Sequence, residues 1–210
     1  MAISMSTKSI KHPYSERFRG FYPVVVDIET AGFDAKKDAV LELAAVLTTM
    51  DEDGNLQVAE TLHYHIEPFP GANLEKSSLD FNGIKPFNPF RMAISEKTAL
   101  TDMYKAIREK LKKYDCTRAV MVAHNATFDH GFYRSAAERA GLKKDPFHQF
   151  TTFDTATLAG LVYGQTVLSR AVEAAGLVYD ESEAHSAKYD AEITADLFCK
   201  MVNKVKALRP

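Results

Sequence analysis

The chain has 210 residues and a formal net charge of −2, with 46 % hydrophobic and 26 % charged residues. This is an ordinary globular balance, enough for one domain with a real core. It excludes a disulfide framework, since Cys116 and Cys199 are the only cysteines, and a membrane-spanning helix, since no run approaches the roughly 18 apolar residues of a span.

Residues 1–20 read as a loose N-terminal arm, polar and charged and without the apolar segment of a secretory signal. A cytoplasmic, reducing location is the expectation. A catalytic core over 21–206 follows, and the whole chain, 1–210, reads as one domain. Val24 to Glu29 is a strand whose unbroken apolar run predicts burial on both faces. Ala39 to Met50 and Leu56 to Ile66 flank the turn Asp51-Glu52-Asp53-Gly54-Asn55 and form a hairpin in the same sheet. His63 and His65 share one face of the second hairpin strand. With no carboxylate in their own segment, they read as half-exposed sheet residues.

Residues 68–92 are rich in Pro, Asn and Gly and predict a long loop with short helical turns, a length that is often functional. Ser95 to Tyr114 is a helix with Leu100, Met103, Tyr104, Ile107 and Leu111 on one stripe. Ala119 to Ala123 is a strand. Phe128 to Ala140 is a helix closed by Gly141. A short strand or helix is expected near Asp154, a short helix over Leu168 to Ala175, and a last helix from Asp190 to Val205. The sum is an α/β fold, a mixed central sheet flanked by helices.

The chemistry begins in Val24-Val25-Val26-Asp27-Ile28-Glu29-Thr30. Alternate strand residues share a face, so Asp27 and Glu29 stand together about 7 Å apart along the backbone. Two carboxylates at the end of an apolar run are costly unless something positive holds them. Two further segments, His124-Asn125-Ala126-Thr127-Phe128-Asp129 and His185-Ser186-Ala187-Lys188-Tyr189-Asp190, add Asp129 and Asp190 at the starts of helices. All four carboxylates can converge at one sheet edge. Oxygen ligands without cysteine select hard divalent ions. A pair of Mg²⁺ ions, or Mn²⁺ in their place, would support phosphoryl displacement there. His185 precedes the last helix, and an imidazole titrates near neutrality, as a general base should. Neutralising the four carboxylates moves the formal charge from −2 to +2.

These three motifs, in this order, resemble those of the DEDD exonucleases that carry a histidine in the third motif, a branch of the ribonuclease-H-like fold. The likeness extends through Arg17-Phe18-Arg19-Gly20-Phe21-Tyr22-Pro23, Thr30-Ala31-Gly32-Phe33, Phe81-Asn82-Gly83-Ile84, Pro146-Phe147-His148 and Thr152-Phe153-Asp154-Thr155. It implies removal of single nucleotides from the 3′ ends of tRNA and other stable RNA precursors, and from single-stranded DNA, releasing 5′-monophosphates. By the same resemblance Asp27, Glu29 and Asp190 hold one metal. Asp27 bridges to a second, which Asp129 reaches directly or through water, and His185 is the base. Phe33, Phe81, Phe128 and Phe150 match positions that stack on the last bases. Where the nearest branch carries a glutamate that contacts the terminal base, this chain has Ser77, with Glu75 nearby.

That branch is homodimeric, and a basic patch on one subunit guides RNA to the partner's site. Arg17, Arg19, Arg118 and Lys143 match patch positions, and Lys112 and Lys144 lie close to them in sequence. A DNA-proofreading subunit or an oligoribonuclease of the same superfamily is the nearest alternative. A haloacid-dehalogenase-like phosphatase would need an aspartate where Glu29 stands. A non-catalytic RNA-binding module would tolerate Asp27→Asn.

Overall fold

The computed structural model describes residues 12–207. A helical turn α1 (Pro13–Glu16) and a 3-10 turn (Arg17–Gly20) lead into β1 (Phe21–Thr30), β2 (Val40–Met50) and β3 (Leu56–His65). The helix α2 (Lys76–Asn82) and a 3-10 turn at Pro89–Arg91 interrupt the long connection to α3 (Glu96–Lys113). Then come β4 (Arg118–Ala123), α4 (Thr127–Arg139), β5 (Phe147–Asp154), α5 (Thr155–Tyr163), α6 (Leu168–Ala174) and α7 (Ala187–Lys206). No helix among the described residues is long and apolar enough to cross a membrane.

The five strands form one mixed sheet in the order β3-β2-β1-β4-β5. β1 is antiparallel to β2 and parallel to β4, so it lies at the centre. Its residues Val24, Val25 and Val26 are fully buried, as an apolar run covered on both faces should be. Ile28 and Leu43 meet Leu100 of α3 and Tyr133 and Ala136 of α4 on one face. α7 packs across β1, β2 and β3 on the other.

The arm departs from the expectation over residues 13–20. Tyr14 is wholly buried and pairs through its hydroxyl with Thr48 Oγ1 at 2.5 Å. Phe18 (φ 50°) and Arg19 (φ 61°) adopt left-handed backbone, which turns the segment back against the sheet. Residues 1–11 of the predicted arm lie outside the described residues. The segment near Asp154 is both things considered: β5 ends on Asp154, whose carboxylate caps α5 by accepting from Ala156 N at 3.0 Å. The last helix begins three residues early, at Ala187, so Asp190 sits within its first turn rather than at its boundary.

One buried ion pair fixes the ground on which the site is built. Arg139 donates to both Glu96 carboxylate oxygens, at 3.1 and 2.7 Å, joining α4 to α3. Its third nitrogen, Nη1, donates to Ala35 O at 3.0 Å and so holds the loop that follows β1. A bidentate guanidinium pair adds geometric definition as well as attraction.

Candidate active site

The sheet itself exposes the first two carboxylates. β1 pairs with β4 only as far as Val25 opposite Val122, so its last residues outrun their neighbour. The freed backbone N–H of Ile28 donates to Asp129 Oδ1 at 3.0 Å. Asp129, in the first turn of α4, is thereby aimed at β1 from beyond the end of β4. From the other side α7 delivers Asp190, whose Oδ2 accepts from the His185 backbone N–H at 2.9 Å. Carboxylate oxygens of Asp27, Glu29 and Asp190 all lie within 4.8 Å of one another.

This arrangement is electrostatically unfavourable on its own. Burial, then the charges of Asp129, Asp190, Glu29 and Glu42, hold the Asp27 carboxyl well above the ordinary carboxylate range. Burial, then Asp190 and Glu42, push Glu29 up to about 7. Burial is the main force raising Asp129 to about 8, against the backbone N–H bonds it accepts. Asp190 is raised by burial too, partly opposed by its bond to His185. Its second oxygen, Oδ1, is buried without a hydrogen-bond partner. No lysine or arginine pairs with any of the four among the described residues. A buried acceptor with no donor, set among like charges, fits a cation and little else. The all-oxygen donor set fits a hard divalent ion.

The carboxylates floor a cleft of about 430 Å³. Phe33, Phe81 and Phe128 line it, with Ser77 and Ser78 on the α2 side. Phe33 and Phe81 are 85 % and 68 % exposed, although exposed phenylalanine is unfavourable unless something covers it. His185 stands at the mouth on left-handed backbone (φ 67°), its ring against that of Phe81. The loop bearing Phe33 depends on Gly32: a Cβ there would fall 2.1 Å from Asp38 Oδ2. Asp38 cannot yield, because it accepts from Asp34 N at 2.7 Å and from Asn73 Nδ2 at 2.8 Å.

Phe150 is elsewhere. It lines a larger cleft of about 880 Å³ between α4 and β5, with Arg118, Arg134, Lys144 and His148. Arg19, exposed, lies over the Phe21 ring, which in turn contacts His148. Lys112 and Lys143 are also exposed. Arg17 differs from these: its guanidinium donates to Val202 O at 3.1 Å and Gly54 O at 3.4 Å, so it ties α7 to the β2–β3 turn.

Two residues near the carboxylates carried no separate signal in the sequence. Asn82 donates to Thr30 O at 3.1 Å and bonds to Glu29. It lies in the Phe81-Asn82-Gly83-Ile84 block that carries the resemblance, where only Phe81 had a role assigned. Glu42 lies directly opposite Glu29 across the β1–β2 ladder. It also corrects the reading of His63 and His65 as sheet histidines lacking a carboxylate partner. His63 Nε2 is 3.3 Å and His65 Nδ1 3.0 Å from the Glu42 carboxylate. The partner comes from the neighbouring strand, where segment-by-segment reading does not look.

A mixed sheet of this order, with a buried carboxylate cluster at the end of its central strand and a histidine at the rim, defines a metal-dependent nuclease of the ribonuclease-H-like class. The chain belongs to the exonuclease family, whose model matches residues 24–198. It is 59 % identical to Ribonuclease T of Klebsiella pneumoniae over 204 residues, covering 97 % of this chain and 95 % of the relative. It is 58 % identical to Ribonuclease T of Photobacterium profundum over 205 residues, or 97 % and 92 % of the two chains.

Among solved structures it resembles the nuclease domain of 3′hExo, a DEDDh family member bound to rAMP. The TM-score is 0.68 at 19 % identity, over 87 % of this chain and 92 % of that one. It also resembles E. coli Exonuclease I in complex with a dT13 oligonucleotide, with TM-score 0.66 and 17 % identity. It covers 90 % of this chain and spans only 42 % of that larger protein. The chain is thus a hydrolase, a 3′-to-5′ exonuclease.

Proposed function

We propose that this exoribonuclease trims single nucleotides from the 3′ ends of tRNA and other stable RNA precursors in the cytoplasm. It would act on single-stranded DNA as well. The observation that carries the reading is the partly buried cluster of Asp27, Glu29 and Asp190, with an orphaned Asp190 oxygen, under a cleft walled by phenylalanines. Aromatic faces hold any base, at about 1–3 kcal/mol each, and so suit an enzyme that removes successive nucleotides.

Asp27, Glu29, Asp129 and Asp190 are the residues to hold two Mg²⁺ ions, with Mn²⁺ as a substitute. Such ions stabilise the attacking and leaving oxygens of a phosphoryl displacement. His185, exposed at the rim, takes a proton from the attacking water at a ring nitrogen. Phe33, Phe81 and Phe128 position the terminal nucleotides. Ser77 lines the cleft where the resemblance leads one to expect a glutamate. Glu75 does not replace it, since its Oε1 accepts from Asn73 Nδ2 at 3.1 Å.

The enzyme works as a homodimer in this reading. Arg118 faces Phe21 in the sheet, six residues before Asp27, which puts the basic cleft about 20 Å from the chain's own carboxylates at strand spacing. RNA gripped there by Arg19, Lys112, Arg118, Lys143 and Lys144 is better placed for a partner's site, and Phe150 would stack on that strand.

The test uses end-labelled tRNA and its 3′-extended precursor, with Mg²⁺ or EDTA, and wild type beside Asp190→Ala. Stepwise one-nucleotide shortening that needs both the metal and Asp190 is the expected result. Full activity after chelation would sink the two-metal reading. Preference for dinucleotides or mismatched primer ends would move the chain to the oligoribonuclease or proofreading branch.

A further inference from the structure

Beside the carboxylate centre lies a second group of metal-ligating side chains with different chemistry. The ladder sets Glu29 opposite Glu42 and Glu42 opposite His65, so these three form a row across β1, β2 and β3 on one face of the sheet. His63, two residues before His65, shares that face. Its Nε2 lies 3.3 Å from Glu42 Oε2, and His65 Nδ1 lies 3.0 Å from Glu42 Oε1. The two rings meet edge to face with centroids 4.7 Å apart. One ligand atom from each residue lies within 4.8 Å of both others. At metal–ligand distances of about 2.0–2.2 Å, ligand atoms of a tetrahedral site stand about 3.3 Å apart. The two histidine–Glu42 separations are already close to that.

We propose that Glu42, His63 and His65 form a binding site for a borderline divalent transition-metal ion of the zinc class, separate from the hydrolytic centre. Two nitrogens and one oxygen suit zinc, whereas the all-oxygen set of Asp27, Glu29, Asp129 and Asp190 suits magnesium. The two centres therefore differ in hardness although they share one sheet face. The ligands stand on adjacent paired strands, so little ordering is needed on binding. Glu42 is nearly buried, with 11 % of its side chain exposed, and the histidines are half-buried at 24 % and 36 %. Access from solvent is through the more exposed histidine side. The Arg91 guanidinium does not close the site, because its Nη1 and Nη2 donate to Pro86 O and Leu41 O. Without a metal the two imidazoles share the Glu42 carboxylate as hydrogen-bond donors. On binding, the ring nitrogens nearest Glu42 must give up their protons and present lone pairs.

The proposal stands apart from the nuclease reading, and its test needs no activity measurement. Metal-free full-length protein is dialysed against Zn²⁺ in the presence of excess Mg²⁺, and bound zinc is determined by metal analysis. Wild type is expected to retain about one zinc per chain more than the His63→Gln/His65→Gln variant. Equal zinc in the two overturns the site. Should the double variant fail to fold, wild type alone decides. Zn²⁺ added to the Mg²⁺-saturated protein is expected to shift the imidazole NMR signals of both His63 and His65. A shift in neither, or in only one, refutes the site.

Discussion

The rings of Phe81 and His185 lie with centroids 4.2 Å apart and planes inclined by 51°. One comes from α2 in the long connection, the other from the turn before α7, so the contact couples the substrate wall to the proposed base. His185→Ala is expected to lower kcat by about 10²–10⁴ with little change in KM. Steady-state kinetics checks both; an unchanged kcat removes His185 as the base.

Phe81→Ala should act mainly on KM. Loss of one stacked base is worth about 1–3 kcal/mol, or about a fivefold to 150-fold rise. A smaller fall in kcat should accompany it, since His185 loses its neighbour. If KM for a short single strand stays at the wild-type value, Phe81 does not touch the substrate.

The raised carboxyls set the pH dependence of the metal-free protein. Glu29 and Asp129 hold their protons up to about 7 and about 8 when folded, but only to about 4 when unfolded. Folding therefore takes up protons between these limits. Stability is fullest below about pH 4 with respect to these groups and falls as pH rises toward 8. Mg²⁺ reverses the trend, because binding replaces the protons and strengthens with pH. Melting curves from pH 5 to about 8, with and without Mg²⁺, should diverge as pH rises. Parallel curves would show that the cluster is not protonated.

Asp190→Asn removes one of the clustered charges and keeps the shape. Metal binding by calorimetry and nuclease activity should both drop to background. The metal-free variant should melt at or above the wild-type temperature, since the carboxylate is raised by burial in the native protein. A destabilised variant would mean that Asp190 serves the fold more than the metal.

Arg17 and Arg19 should part company although one residue separates them. Arg17→Ala strips donors from two backbone carbonyls and should cost about 1–3 kcal/mol of stability while leaving the salt dependence of RNA binding intact. Arg19→Ala should leave stability alone and reduce the salt slope by about one counterion. Denaturation and filter binding over a salt series distinguish them; a reversal of the two effects would redraw the basic patch.

Much of the fold is legible in the chain because apolar period and turn chemistry are local. Val24 to Val26 announce a central strand, Asp53-Gly54 the hairpin, and Gly141 the end of α4. The arm was not legible, because Tyr14 is one apolar residue among polar ones and its pocket against Thr48 is made by a distant strand. The segment 147–154 hid as a strand because Gln149, Phe150, Thr151 and Thr152 at the sheet edge are exposed or half-exposed, which blurs any alternation.

For the candidate site the division is similar. The sequence by itself determined the ligand types, their order and their places at the ends of elements, since motif spacing and a carboxylate pair on a strand are properties of the chain. Only the tertiary structure decided that Asp129 turns to the Ile28 amide, that Phe150 belongs to a different cleft from Phe33, Phe81 and Phe128, that Arg17 faces carbonyls, and that Glu42 joins two histidines to the row that begins at Glu29. Each of these depends on which strand lies beside which and where one strand outruns another. Pairing between strands is a long-range relation, and no local stretch of residues encodes it.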